Sequence, residues 1–209
     1  MRDAIKPFTT AVNAAGSAGI PLKTRNSIEW YKRYCAAQFG GIQTFHDVKR
    51  TGETSIRKKI TIGQIYTFIY SPKHKETLPY YDANPLVIPF SDDGISFYAF
   101  NLHYLPIRQR ALALDALFKI SNTATRGNSM PELNAKYRTV MAMSRSNLFK
   151  PCVKRYLKSH VRSRFLEFNP AHWEICIFLP VTNFKKASEY TVYSDSLKSI
   201  RGNKRKGRK

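Results

Sequence analysis

A chain of 209 residues, 43% hydrophobic and 13% aromatic, is long enough for one domain with a substantial core and too short for two large ones. Its charge is unusual: 35 Lys and Arg against 14 Asp and Glu give a formal net of +21, and a field of that sign draws polyanions because each neutralised phosphate releases a condensed counterion. A membrane surface, the rival polyanion, calls for an apolar span of about 20 residues, a lipidation signal or a greasy amphipathic helix, and the sequence shows none of these.

Met1–Gly19 holds scattered apolar residues and Pro7, so it does not read as a secretory signal, and a soluble protein of intracellular origin is expected. Ser27–Phe39 reads as a short helix capped by Ser27, with Ile28, Tyr31, Cys35 and Phe39 at helical spacing and Gly40-Gly41 as its stop. Residues 42–60 are basic and weakly apolar and read as an arm or loop. Ile65–Tyr70, Leu86–Phe90 and Ile95–Asn101 are β-branched and aromatic runs bounded by Gly, Pro and the acidic turn S-D-D-G, which favours an antiparallel meander. From Leu105 to Ile120 the period becomes helical: Pro106 suits a first turn, and Ile107, Ala111, Leu114 and Phe118 form one stripe.

Glu132–Ser144 resumes a helical pattern through Leu133, Tyr137, Val140 and Met141. If Pro151 opens a further helix, Lys150, Lys154 and Lys158 share one face of it and Val153 and Leu157 the other, with Arg155, Arg162 and Arg164 extending the basic surface. Trp173–Leu179 reads as a strand, and the terminal S-I-R-G-N-K-R-K-G-R-K run, with little apolar surface to bury, reads as disordered until bound. The positive charge follows this division. Residues 61–120, the most β-like part, carry 5 basic and 5 acidic groups, whereas residues 1–60 carry 11 and 4, residues 121–180 carry 10 and 3, and residues 181–209 carry 9 and 2. A neutral packed centre with basic flanks is implied.

Little in the chain points to catalysis. Cys35, Cys152 and Cys176 are odd in number and widely spaced, which suits buried thiols better than zinc ligands or disulfides. His46, His74, His103, His160 and His172 are scattered without a metal-ligand spacing. G-Q-I-Y-T-F-I-Y is similar to the opening of a GIY-YIG nuclease, but the second tripeptide is missing. Glu76, Asp82, Asp92 and Asp93 could hold Mg²⁺ only if folding gathered them; Asp92-Asp93-Gly94 reads more simply as a turn and Asp82 as a structural acceptor. No cofactor, metal or catalytic residue is expected.

Two motifs, Leu78-Pro79-Tyr80-Tyr81-Asp82 and Asn101-x-His103-Tyr104-Leu105, lie within a stretch that begins at Gly63 and runs to Ile120. Together with F-K-P-C-V-K-R-Y-L-K-S-H-V-R-S-R-F and W-E-I-C-I-F-L-P, over about residues 26–186, the chain resembles the DNA end protector proteins of T-even-like tailed phages. The resemblance implies a non-enzymatic minor virion protein of the phage head or neck. It would sit on the end of packaged double-stranded DNA, shield the terminus from host exonuclease, and work with portal and head-completion proteins.

The expected fold is α+β: one compact domain over residues 26–186 with a small, mainly antiparallel sheet packed by helices, a basic N-terminal arm at 1–25 and a disordered basic tail at 187–209. Phosphate contacts are expected from Arg57, Lys58, Lys59, Lys150, Lys154, Arg155, Lys158, Arg162 and Arg164, and from Lys204, Arg205 and Lys206 in the tail. The prolines at 72, 79, 85 and 89 fix φ and make Ser71–Phe90 a rigid connection, on which Tyr80 and Tyr81 are candidates for stacking on a terminal base pair. The alternatives are a Mg²⁺-dependent nuclease and a structural head component without affinity for DNA ends.

Overall fold

The computed structural model describes residues 7–20, 25–39, 41–121, 142 and 149–206. Its elements are helices α1 (Pro7–Ser17), α2 (Arg25–Gln38), α3 (Phe45–Arg50), α4 (Ile107–Ser121), α5 (Trp173–Cys176) and α6 (Glu189–Lys206), and strands β1 (Thr54–Arg57), β2 (Tyr66–Thr67), β3 (Tyr81–Asp82), β4 (Leu86–Asp92), β5 (Ser96–Asn101), β6 (Val153–Leu157), β7 (Phe165–Phe168) and β8 (Phe184–Lys185). Six strands form one sheet in the order β1-β7-β2-β4-β5-β6, every pair antiparallel, and β3 pairs with β8 beside it. The α+β architecture and the meander of the three expected strands are both present.

The β4–β5 hairpin turns as its residues dictate. Gly94 adopts φ 88°, open to glycine without strain, while the Asp92 carboxylate accepts from Gly94 N at 2.8 Å and the Asp93 carboxylate from Ile95 N at 3.0 Å and Ser96 N at 2.5 Å. At Pro89, which has no N–H to give, the β4–β5 register shifts in a bulge.

Alternation along the strands divides the core in two. One face of the sheet (Leu86, Ile88, Phe90, Phe100, Leu166, Phe168) meets the helices, with Phe8, Ala11 and Ala15 of α1, Tyr31 and Cys35 of α2, Ala111 and Leu114 of α4, and Val192 of α6 all buried in one cluster. The opposite face carries a smaller, mostly aromatic cluster: Tyr66, Phe68, Tyr70, Val87, Phe97, Ala99, Tyr156 and Phe165. The rings of Phe68 and Tyr156 meet edge to face at 5.4 Å, those of Phe68 and Phe165 at 5.2 Å.

Several expectations are overturned. Within the N-terminal arm, residues 7–17 form α1, whose burial at every third or fourth position fixes it to the core. Its N-terminus is held by Glu53, whose carboxylate accepts from Phe8 N at 2.5 Å, Thr9 N at 2.8 Å and the Thr9 hydroxyl at 2.6 Å, a negative charge at the positive end of the helix dipole. Helix α2 starts at Arg25, so Ser27 lies inside it and not at its cap.

Residues 42–60 are not a plain loop. Thr44 and Asp47 make a reciprocal capping box that starts α3, and β1 follows as the sheet's edge. The expected helix at Pro151 is a single 3₁₀ turn leading into β6, because Val153 and Tyr156 pack on opposite faces of the sheet with strand periodicity. The expected strand at Trp173–Leu179 begins as α5: Asn169 caps the preceding turn by accepting from Ala171 N at 3.0 Å, and Pro170 stands at its first position.

The tail is helical from Glu189 to Lys206, with Val192 and Ser196 buried and Ile200 against the core at i, i+4 and i+8. The helix expected at Glu132–Ser144 lies outside the described residues apart from position 142.

Candidate nucleic-acid interface

Basic side chains are concentrated on the aromatic face of the sheet. Lys58 and Lys59 follow β1, Lys158 follows β6 and Arg164 precedes β7, and all four line one open groove of about 790 Å³. Its floor is apolar, with Ile60, Val161 and Phe165. One acid enters it: Asp92 pairs with Lys158 at 2.6 Å and so fixes that ammonium at the rim. Although partial burial acts to raise its pKa, the hydrogen bonds from Lys158 and Gly94 hold the Asp92 carboxyl below the usual carboxylate range. Three separate chain segments therefore deliver one paired cation and three that have no ion-pair partner among the described residues to one concave surface.

A second cavity, about 290 Å³, is contiguous with this face: Tyr70 lines it, while Val161, bridged to Tyr70, lines the groove. The proline-rich segment forms one wall through Pro72, Leu78, Pro79, Tyr80 and Tyr81. Lys186 holds that wall in place from behind, donating to the Glu76 carbonyl at 2.7 Å. The Tyr80 ring packs on Tyr104 at 6.0 Å and on Phe184 at 6.4 Å. Opposite stand Tyr104, Tyr156 and Lys154.

Beneath the pocket the two sequence motifs meet. The Asp82 carboxylate accepts from the His103 ring at 2.8 Å, Asn101 Nδ2 at 3.0 Å and Asn84 N at 3.0 Å. Burial acts to raise the Asp82 pKa, but the His103 ring and these hydrogen bonds outweigh it and hold the carboxyl below its ordinary value. Burial likewise keeps the His103 pKa below the usual imidazole value against the pull of Asp82, so a neutral ring donates through Nδ1 to an ionised carboxylate. Asn101 also donates to the Tyr156 hydroxyl at 3.1 Å. Asp82 is thus a structural acceptor. Asp93 holds the hairpin turn and Asp92 the groove lysine, and among the described residues no three His, Cys, Asp or Glu side chains gather to hold a metal.

The expected phosphate contacts divide accordingly. Lys58, Lys59, Lys158 and Arg164 come together in the groove. Arg57 is exposed on the edge strand and paired with Glu167 at 3.1 Å; Lys150 and Arg162 are exposed outside the groove lining. Arg155 is exposed above the Tyr98 ring at 5.9 Å, its Nε donating to Ser96 at 2.9 Å. Lys154 does not share an exposed helical face with Lys150 and Lys158: it is half-buried in β6, its Nζ 3.8 Å from the centre of the Tyr104 ring. Lys204, Arg205 and Lys206 fall in the last turns of α6, and their side chains lie outside the description. Tyr80 and Tyr81 are half-buried at the pocket wall.

The pattern of the family described as phage T4 terminal DNA protecting protein matches residues 23–197. The chain belongs to that family. The match takes in every element from α2 to β8 and leaves α1 outside, although α1 is part of the core. No curated protein and no solved structure matches the chain. A phage protein of a family concerned with protecting terminal DNA accords with the cationic face, and no helix among the described residues is long and apolar enough to cross a membrane.

Proposed function

We propose that the protein binds the ends of double-stranded DNA without reading their sequence. It would shield the packaged terminus from host exonuclease in the phage head or neck and act with portal and head-completion proteins, without catalysis of its own. The observation that carries the reading is the groove where Lys58, Lys59, Lys158 and Arg164 converge from three chain segments, in a chain of the terminal DNA protecting family. Groove cations contact phosphates, which position a duplex and carry no sequence information. Arg57, Lys150, Arg155, Arg162 and the end of α6 would extend the field around it. The alternative of a Mg²⁺ nuclease finds three of its four candidate carboxylates already engaged, Asp82 in the buried network and Asp92 and Asp93 at the hairpin, while Glu76 is exposed beside Lys75.

The test is protection. A processive exonuclease should be blocked at about one or two protein molecules per terminus, and a large excess of closed circular DNA should not relieve the block. If circular DNA competes as well as linear DNA of equal length, the protein is a general basic binder and the reading fails. Charge reversal of Lys58, Lys59 and Arg164 to Glu should abolish binding and protection together.

A further inference from the structure

Lys154 raises a question that groove binding does not answer. Its ammonium carries three donors, yet among the described residues it has no ion-pair partner and no hydrogen bond, only the face of Tyr104 at 3.8 Å. The ring stabilises a cation through its quadrupole but leaves those donors unused. The pocket that Lys154 helps to line is walled by five tyrosines, 70, 80, 81, 104 and 156; Asp82, engaged by His103 and Asn101, and Arg155, whose Nε donates to Ser96, complete its charged lining, and it measures about 290 Å³. That is the lower end of small-ligand sites, roughly 300 Å³. A duplex cannot enter it, whereas one terminal nucleotide can.

We propose that this pocket receives the terminal nucleotide of a DNA strand and that Lys154 takes its phosphomonoester. The inference rests on the end binding proposed above and specifies what distinguishes an end from the middle. A terminal monoester carries a charge of about −1.5 to −2 near neutral pH, against one negative charge for each internal diester. A cation with free donors inside an aromatic enclosure therefore favours the end group twice over, by charge and by access. Tyr80 and Tyr81, half-buried at the wall, offer ring faces to whatever base arrives, and stacking accepts any of them. Because Tyr70 and its bridge partner Val161 line the pocket and the groove respectively, the strand that ends in one continues into the other.

The experiment uses the full-length protein and a DNA hairpin with a single blunt end, prepared with a 5′-phosphate, a 3′-phosphate or hydroxyls only, with closed circular DNA as competitor. Binding should be about tenfold tighter to one of the phosphorylated ends than to the hydroxyl end, the worth of a charge-assisted hydrogen bond; which end wins gives the polarity. Lys154→Met should bind all three ends alike, at the wild-type hydroxyl level, while its affinity for circular DNA is unchanged. Equal binding of phosphorylated and hydroxyl ends by the wild-type protein, with circles still competing poorly, overturns the pocket assignment and leaves end binding standing. A phosphate preference that survives in Lys154→Met overturns it as well. Circles that compete as well as ends sink the end-binding reading itself, and this inference with it. The wild-type comparison needs no variant, so a folding defect in Lys154→Met would not rescue the proposal.

Discussion

Two cations are withdrawn from bulk water on opposite sides of the same sheet, and their surroundings differ completely. Arg110, 2% exposed in α4, donates through Nε to the Leu105 carbonyl at 2.7 Å, through Nη1 to the Ile177 carbonyl at 3.2 Å, and through Nη2 to the His103 carbonyl at 3.3 Å and the Tyr193 hydroxyl at 2.5 Å. Lys154 in β6 has a tyrosine ring and, among the described residues, no hydrogen-bond or ion-pair partner. Burial without hydrogen bonds depresses its pKa to about 8. The planar fork of Arg110 ties α4 to α5 and α6, and its donors are spent on the fold. Those of Lys154 are unspent, at the wall of a cavity. A buried charge that has satisfied its partners is structural; one kept in reserve costs stability and has to be accounted for by something else.

The largest effect should come from the satisfied side. Arg110→Met takes the guanidinium donor from three carbonyls, while the Tyr193 hydroxyl keeps Glu189, and it should lower unfolding free energy by about 3 kcal/mol or more, at about 1 kcal/mol or more for each orphaned carbonyl. Urea denaturation measures it; a loss under about 1 kcal/mol would mean the guanidinium is not the tie between the helices. Asp82→Ala should behave in the same way, since it strands the His103, Asn101 and Asn84 donors.

Lys154→Met should act in the opposite direction, stabilising the protein by about 1–2 kcal/mol at pH 7, as replacing a poorly paired buried charge by an isosteric apolar group does. The gain should depend on pH. The folded pKa is about 8 and the unfolded value near ~10.4, so between these pH values the unfolded chain holds a proton that the folded one has released, and Lys154's contribution to stability rises with pH. The advantage of the variant is therefore full below pH 8 and fades by about pH 10.4. The neighbours do not obscure this window: burial pushes Tyr104 and Tyr156 well up and Cys152 up to about 12, and Asp82 stays ionised. A pH-independent difference between the two proteins would show that Lys154 is already solvated in the folded state.

That contrast was only half legible in the sequence. The hairpin at Asp92-Asp93-Gly94, the α4 stripe at Ile107, Ala111 and Leu114, and the structural role of Asp82 follow from local chemistry, and the structure has them; the side chain of Phe118, the fourth stripe residue, lies outside the description. Lys154 was misplaced because Lys150, Lys154 and Lys158 recur at helical spacing, while the strand alternation that governs β6 is masked by a lysine in an inward slot. In Trp173–Leu179 a run apolar but for Glu174 looks the same as strand or buried helix, and the decisive signal is the Asn169-Pro170 start just before it. The tail at 187–209 reads as disordered because basic residues dominate its composition, whereas Val192, Ser196 and Ile200, the stripe that docks α6, are few and four residues apart. Arg110 gives no sign of its burial, because its partners are backbone carbonyls and a hydroxyl, which no acidic side chain in the sequence announces.

The smallest effect on stability, and the most informative about function, should come from the groove. Lys58 and Lys59 are exposed on the edge of the aromatic face, without an ion-pair partner among the described residues. Removing both charges, Lys58→Gln with Lys59→Gln, should change unfolding free energy by no more than about 0.5 kcal/mol, because exposed charges contribute little to the fold. On DNA the same pair should matter: each phosphate contact adds about 0.9 to the slope of log K against log salt, so the double variant should flatten that slope by nearly 2. Its preference for a phosphorylated end over a hydroxyl end should persist, since Lys154 is untouched. An unchanged salt slope would show that the groove is not where the backbone runs. A lost end preference would show that pocket and groove are one site, and that the reserve charge at Lys154 does not act on its own.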